Sequence, residues 1–158
     1  MLTTCLTLLL SGAMSASAQG ATGTPAATYD PANASQDVYW EASDGSLHED
    51  AWTPSTGWLT YSITAPGTLA SAPTAIYDAN DGSQDVYWKG ADGSLREDAW
   101  KPTTGWLLYT VTGPGVLTSA PTATYDPNDI SQDVYWKGAD GSLREDAWKP
   151  TTGWLLYT

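Results

Sequence analysis

The sequence predicts an all-β protein of the β-propeller class, built as three tandem four-stranded antiparallel blades, and three observations carry that reading. A unit of 48 residues is written three times, opening at Tyr29, Tyr77 and Tyr125. Each copy runs Q-D-V-Y-W, then D-G-S-L-x-E-D-A-W, then T-G-W-L-x-Y, so short aromatic-rich runs alternate with turn residues. A fixed period of about 40 to 50 residues with that texture is how a propeller blade looks in sequence. No stretch has the periodicity of an amphipathic helix.

The chain divides accordingly. Residues 1–18 read as a signal peptide: positions 2–14 are apolar and uncharged, and Ala16, Ser17 and Ala18 form a small-residue cleavage site. That apolar run is too short to span a bilayer. Residues 19–24 read as a linker, 25–72 as the first blade, 73–120 as the second and 121–158 as the third. In the second copy, four runs rich in Val, Ile, Tyr, Trp and Thr are expected as strands: 73–77, 84–88, 94–100 and 106–110. Gly90, Asp92 and Gly93 are expected to supply the positive-φ positions of the central hairpin. Pro102 and Gly105 bracket the next turn, and Gly113, Pro114 and Gly115 make the crossover to the following unit.

From 73–110 to 121–158 the copies differ at three positions only, Ile76/Thr124, Ala79/Pro127 and Gly82/Ile130. Even solvent-type residues such as Lys89 and Lys101 recur, which marks recent duplication rather than packing necessity. Three blades are too few to close a ring, since propellers have about four to eight. Either a second chain completes a six-bladed ring or the chain is a fragment of a longer one. An open arc by itself would leave apolar blade faces in water.

Composition excludes several classes of function. Eighteen acidic residues against six basic ones give a net charge of −12, a surface that repels phosphate backbones and anionic lipids, so neither nucleic acid nor a membrane surface is an expected partner. Cys5 is the only cysteine and lies in the segment to be removed, which leaves no disulfide or thiol chemistry. His48 is the only histidine and is replaced by Arg96 and Arg144 in the other copies, so no Ser-His-Asp triad or histidine metal site can be assembled. The Asp78, Asn80, Asp81 and Asp85 cluster lacks the spacing of an EF-hand loop and reads as an Asx-rich turn; no metal or other cofactor is expected. Glu97 and Asp98 are adjacent on a strand and so point to opposite faces, which does not make the convergent carboxyl pair of a glycosidase. An enzyme is not expected.

Nine Trp and nine Tyr with no Phe, three of each per copy, select for rings with a polar handle. Such rings offer a flat apolar face and an N–H or O–H, which suits a pyranose with C–H groups on one face and hydroxyls at its rim. They also fill space between blades, and Trp106, Tyr109 and their equivalents are the expected core members. Strand parity puts Leu95, Glu97 and Ala99 on one face and Arg96, Asp98 and Trp100 on the other. Glu97, with its equivalents Glu49 and Glu145, is thus a carboxylate between apolar neighbours that must find hydrogen-bond donors, sugar hydroxyls among them.

The run Leu-x-Glu-Asp-Ala-Trp followed by Thr-Gly-Trp resembles the repeat of the fucose-binding propeller lectins of fungi and bacteria. The resemblance implies a sugar site that includes Glu49, Glu97 and Glu145 with Trp52, Trp100 and Trp148. Where that family carries an arginine before the Val-Tyr pair, this chain has Asp37, Asp85 and Asp133. The runs Leu117-Thr118-Ser119-Ala120-Pro121, Asp133-Val134-Tyr135 and Asp140-Gly141-Ser142-Leu143 resemble the repeat of the bacterial seven-bladed PLL-type lectins over the whole mature chain. That family binds fucose and O-methylated sugars between blades.

The expectation is therefore a secreted, extracellular, multivalent lectin whose partners are glycans. Its aromatic wall would be Trp88 or Trp100 with their repeat mates Trp40, Trp136, Trp52 and Trp148. Glu97 and Asp85 and their equivalents Glu49, Glu145, Asp37 and Asp133 would accept hydrogen bonds from sugar hydroxyls. A second reading makes every aromatic a core residue and the chain a non-catalytic structural or protein-interaction module, a part of a larger secreted protein.

Overall fold

Twelve strands form three four-stranded antiparallel sheets, in a computed structural model that describes residues 20–158. The segment read as a signal peptide, 1–18, lies outside the described residues. The first sheet is β1 (Ala21–Asp30), β2 (Ser35–Ala42), β3 (Leu47–Thr53) and β4 (Gly57–Ser62). The second is β5 (Thr74–Asp78), β6 (Ser83–Lys89), β7 (Leu95–Lys101) and β8 (Gly105–Thr110). The third is β9 (Thr122–Asp126), β10 (Ser131–Lys137), β11 (Leu143–Lys149) and β12 (Gly153–Tyr157). Each strand pairs with the next in sequence, as in a propeller blade. In the second copy every boundary falls within one residue of the sequence expectation. The stretch read as a linker is corrected: β1 begins at Ala21, and Ala21 and Thr22 pair with Ala42 and Glu41 beyond a bulge. Small residues around Gly23, which takes φ 79°, hid that strand from its composition.

The turns repeat with the sequence. At the central hairpin the Asp92 Oδ1 accepts from the Ser94 amide (3.0 Å) and hydroxyl (2.6 Å). Of the three residues expected at positive φ only Gly93 adopts it, at 78°. A Cβ on Gly93 would also stand 3.1 Å from the backbone of Gly115, so the glycine lets the hairpin touch the inter-blade connection. Leu117 follows, its amide bonded to the Gly93 carbonyl (2.9 Å) and its backbone bridged to Gly138 of the third blade. At the β9–β10 turn Ile130 takes φ 52° where Gly82 takes 74° in the copy before, a left-handed backbone that strains a β-branched residue.

The innermost strands β1, β5 and β9 follow one another along the arc, and the sheets stack blade against blade. Alternation along the second strand of each blade decides what meets what. Tyr39 and Leu47 of the first blade pack with Leu69 against Val86 and Trp88 of the second. Tyr87, Leu95 and Ile76 pack with Leu117 against Val134 and Trp136 of the third. β6, with a blade on each side, is buried on both faces, whereas β10 alternates between buried and half-buried.

The core expected from sequence is thereby corrected. Tyr61, Tyr109 and Tyr157 are 44%, 46% and 47% exposed, and Trp106 and Trp154 only flank the core. The tryptophans that do fill it are Trp88 and Trp136, 0% and 2% exposed. Outer strands β4, β8 and β12 have no further strand to cover them, so their side chains stay at the rim.

Candidate functional site

Two clefts open between consecutive blades, and equivalent residues line both. In the first, Asp37 and Glu49 of the first blade face Gln84, Trp100 and Trp106 of the second. In the second, Asp85 and Glu97 of the second blade face Gln132, Trp148 and Trp154 of the third. The carboxyls reach the cleft floor because odd positions of β2 and β6 face the following blade. The glutamine and tryptophans reach it because they stand on the opposite face of the next sheet. Neither blade holds a complete site.

The floor is a buried hydrogen-bond network. Tyr39 donates to the Gln84 Oε1 (2.5 Å) across the blade junction, with Glu49 Oε1 3.1 Å away. Tyr87 makes the same bridge to Gln132, with Glu97 Oε1 at 3.3 Å. Ser35 donates to Asp37 and Ser83 to Asp85, each at 2.6 Å. The Gln132 Nε2 donates to Asp78 (2.8 Å) and Asp85 (3.2 Å) of the blade before. A phenol has one proton to give, so when it goes to the glutamine the neighbouring glutamic acid is best placed when it carries its own. Electrostatics agrees. Burial, reinforced by the charge of Asp37, pushes the Glu49 carboxyl up to about 7. Burial raises Asp37, and raises Asp85 and Glu97 as a pair.

The walls are aromatic. Trp106 meets Tyr39 edge to face (centroids 6.0 Å, 86°), and Trp154 meets Tyr87 the same way (6.0 Å, 88°), so each indole that lines a cleft is braced by a tyrosine of the blade before. Trp100 and Trp148 are half-buried on the same side.

The structure redistributes the residues picked out in the sequence. Glu49 and Asp37 line the first cleft and Glu97 and Asp85 the second. Trp100 and Trp148 do line clefts, but Trp100 joins Glu49 rather than Glu97, and Trp148 joins Glu97 rather than Glu145. Trp88 and Trp136 are withdrawn into the core and offer no wall. Trp40 is half-buried, its ring 5.6 Å from that of His48. Trp52 on the first blade, and Asp133 and Glu145 on the third, lie on end faces with no neighbouring blade among the described residues; all three are half-buried. Gln84, Gln132, Trp106 and Trp154 were not assigned to a site from sequence. Strand parity puts Gln84 opposite Asp85, which signals that the two serve different clefts, but only stacked blades show which residues meet.

No protein-family model and no curated protein matches the chain. Among solved structures, the lectin BP39L from Burkholderia pseudomallei superposes with a TM-score of 0.76 at 18% identity, over 86% of this chain and 41% of its own. The six-bladed lectin of Aleuria aurantia, described with a novel fucose recognition mode, gives 0.69 at 20% identity, over 85% of this chain and 43% of its own. A fucose lectin from Kordia zhangzhouensis, in complex with methyl-fucoside, gives 0.63 at 23% identity, over 85% of this chain and 98% of its own. The chain thus spans less than half the length of the first two and nearly all of the third. At these identities the likeness is one of fold, and by that fold the chain is three consecutive blades of a β-propeller.

Proposed function

We propose that this chain is a secreted, non-catalytic carbohydrate-binding protein, a lectin, whose sites are the clefts between blades. The observation that carries the reading is the pairing, in both clefts, of buried carboxyls from one blade with two tryptophans from the next. Carboxyl oxygens accept from sugar hydroxyls, and an indole face covers the C–H side of a pyranose. Asp37 with Glu49, and Asp85 with Glu97, line one cleft each, and in each pair the aspartate charge raises the glutamic acid. Hydrolysis would need the two carboxyls held about 5 to 10 Å apart across a glycosidic bond. Fucosides are the expected ligand class, supported by the Aleuria and Kordia lectins that share this blade fold, and O-methylated sugars are the class that the resemblance to the PLL-type repeat adds.

The leader-like residues 1–18 support secretion. We further infer that a second copy of the chain covers the end faces and makes a six-bladed ring. Leu143 is 72% exposed, while its equivalents Leu47 and Leu95 are fully buried beneath the next blade. At the other end Gln36 is exposed, while its equivalents Gln84 and Gln132 are buried against the blade before. The end faces therefore carry the two halves of an interface that the chain already makes twice internally. Several weak sites on one particle raise avidity without new contacts.

The test is a glycan array probed with the purified mature protein. Selective binding to fucosylated or methylated glycans is the expected result; a blank array from folded protein would overturn it and favour a structural module.

A further inference from the structure

The two clefts share a floor but not a mouth. In the second, the Lys101 ammonium at the end of β7 reaches Asp81 in the β5–β6 turn (2.5 Å), and both residues line the wall. The pair is half-buried, with its side chains 35% and 27% exposed, so it straps the turn to the strand along one wall of the cleft. The same positions in the first cleft hold Thr53 and Asn33, and there each turns away from the other. The Asn33 Nδ2 donates to Asp30 (2.7 Å) within its own turn, and the Thr53 hydroxyl bonds to that of Thr56 (2.7 Å). No such pair lines that wall. The clefts also differ in volume: about 700 Å³ for the first, which runs on to Ser62 and Ile63, against about 390 Å³ for the second.

We propose that the Asp81–Lys101 ion pair is a specificity determinant that restricts the second cleft to a single terminal sugar ring, while the first accepts a ring with a further sugar attached. The inference rests on the carbohydrate reading and adds to it a division of labour between sites of nearly identical sequence. The smaller cleft leaves less room beside a terminal ring, and a sugar on the anomeric oxygen must pass a wall that carries the charged pair, where the first cleft offers neutral amide and hydroxyl groups. The strap repeats as Asp129–Lys149 in the third blade, so any cleft completed on that face has the same charged wall.

The test compares two probes that share a terminal ring, methyl α-L-fucoside and the disaccharide Fucα1-6GlcNAc, by calorimetric stoichiometry on the whole chain. The wild type is expected to take the disaccharide in one cleft per chain and the fucoside in more than one. The double variant Asp81→Asn with Lys101→Thr copies the residues of the first blade. It is expected to gain one disaccharide site per chain. Its fold is not at risk, because Asp78 and Thr104 are present to partner the new side chains as Asp30 and Thr56 do in the first blade. The reverse variant, Asn33→Asp with Thr53→Lys, is expected to lose the disaccharide site. Equal stoichiometry for both sugars in all three proteins overturns this inference and leaves the lectin reading standing. If neither sugar binds the wild type, the fucoside reading falls and this inference with it.

Discussion

A glutamic acid held near pH 7 by burial is half protonated in neutral solution, and Glu49 stands at that point beside Asp37. The same physics makes these carboxyls both a hydrogen-bonding surface and a source of pH dependence. Replacing Glu49 and Glu97 by Gln keeps shape and an acceptor oxygen while removing the charge the acid can carry. The expected outcome is a loss of sugar affinity of about tenfold, roughly the worth of one charge-assisted hydrogen bond, with little change in thermal midpoint. Calorimetric titration beside a melting curve checks both halves. For the wild type, Glu49 and Asp98 are both raised to about 7 by burial, and Asp146 to about 6. Their folded-state values lie above those of an unfolded chain, about 4, so the native state holds protons that the unfolded chain has released. That contribution is complete at about pH 4 and is lost as pH rises through 6 to 8. Melting temperature is therefore expected to fall between pH 5 and pH 8.5, with a stability loss on the order of 2 kcal/mol. A flat or rising profile would contradict the burial argument.

At the scale of the strand, identical registers expose what a single replacement does. Asp50 on β3 lies opposite Thr60 on β4, whose hydroxyl donates to it at 2.5 Å. Asp98 and Asp146 occupy the same position on β7 and β11 but lie opposite Leu108 and Leu156. In both, the Oδ1 is buried with no hydrogen-bond partner. Leu108→Thr restores the donor that the first blade retains and is expected to stabilise the protein by about 1 kcal/mol. Urea unfolding at pH 7.5 measures it, and no gain would mean that Asp98 already has a partner in water. The element scale also explains why Trp88 misled the sequence reading. It shares the aromatic composition of Trp100, yet sits on a strand with a blade on either side, and only Trp100 stands at the cleft edge.

For the whole molecule, the faces at the two ends of the arc are the decisive feature. The face around Leu143 and Tyr135 repeats the one on which the second blade stacks the third, and the Gln36 face repeats the one that receives it. Assembly with a second copy predicts a particle of twice the chain mass in light scattering. Leu143→Arg, which leaves a charge at the centre of that face, is expected to reduce the particle to single chains while leaving the strand content unchanged. A wild-type particle of single-chain mass would remove the ring proposal without touching the two internal clefts.

The sequence by itself determined the three tandem units, the four strands of the second to within a residue, the place of its hairpin turns, and the face of the strand on which Glu97 stands. All of these depend on local chemistry: a repeat period, strand-forming residues between turn residues, and side chains that alternate from face to face. Tertiary structure decided the rest. Parity says that Glu97 and Trp100 point to opposite faces, but not that the partner of Glu97 is Trp148 on the next blade or that Trp88 lies at a closed junction. It also decided that Lys101 reaches Asp81 along the wall of a cleft while Thr53 and Asn33 turn apart. These are contacts between segments some 20 to 50 residues apart, set by how the blades stack, and a pattern read along one strand carries no record of the face it will meet.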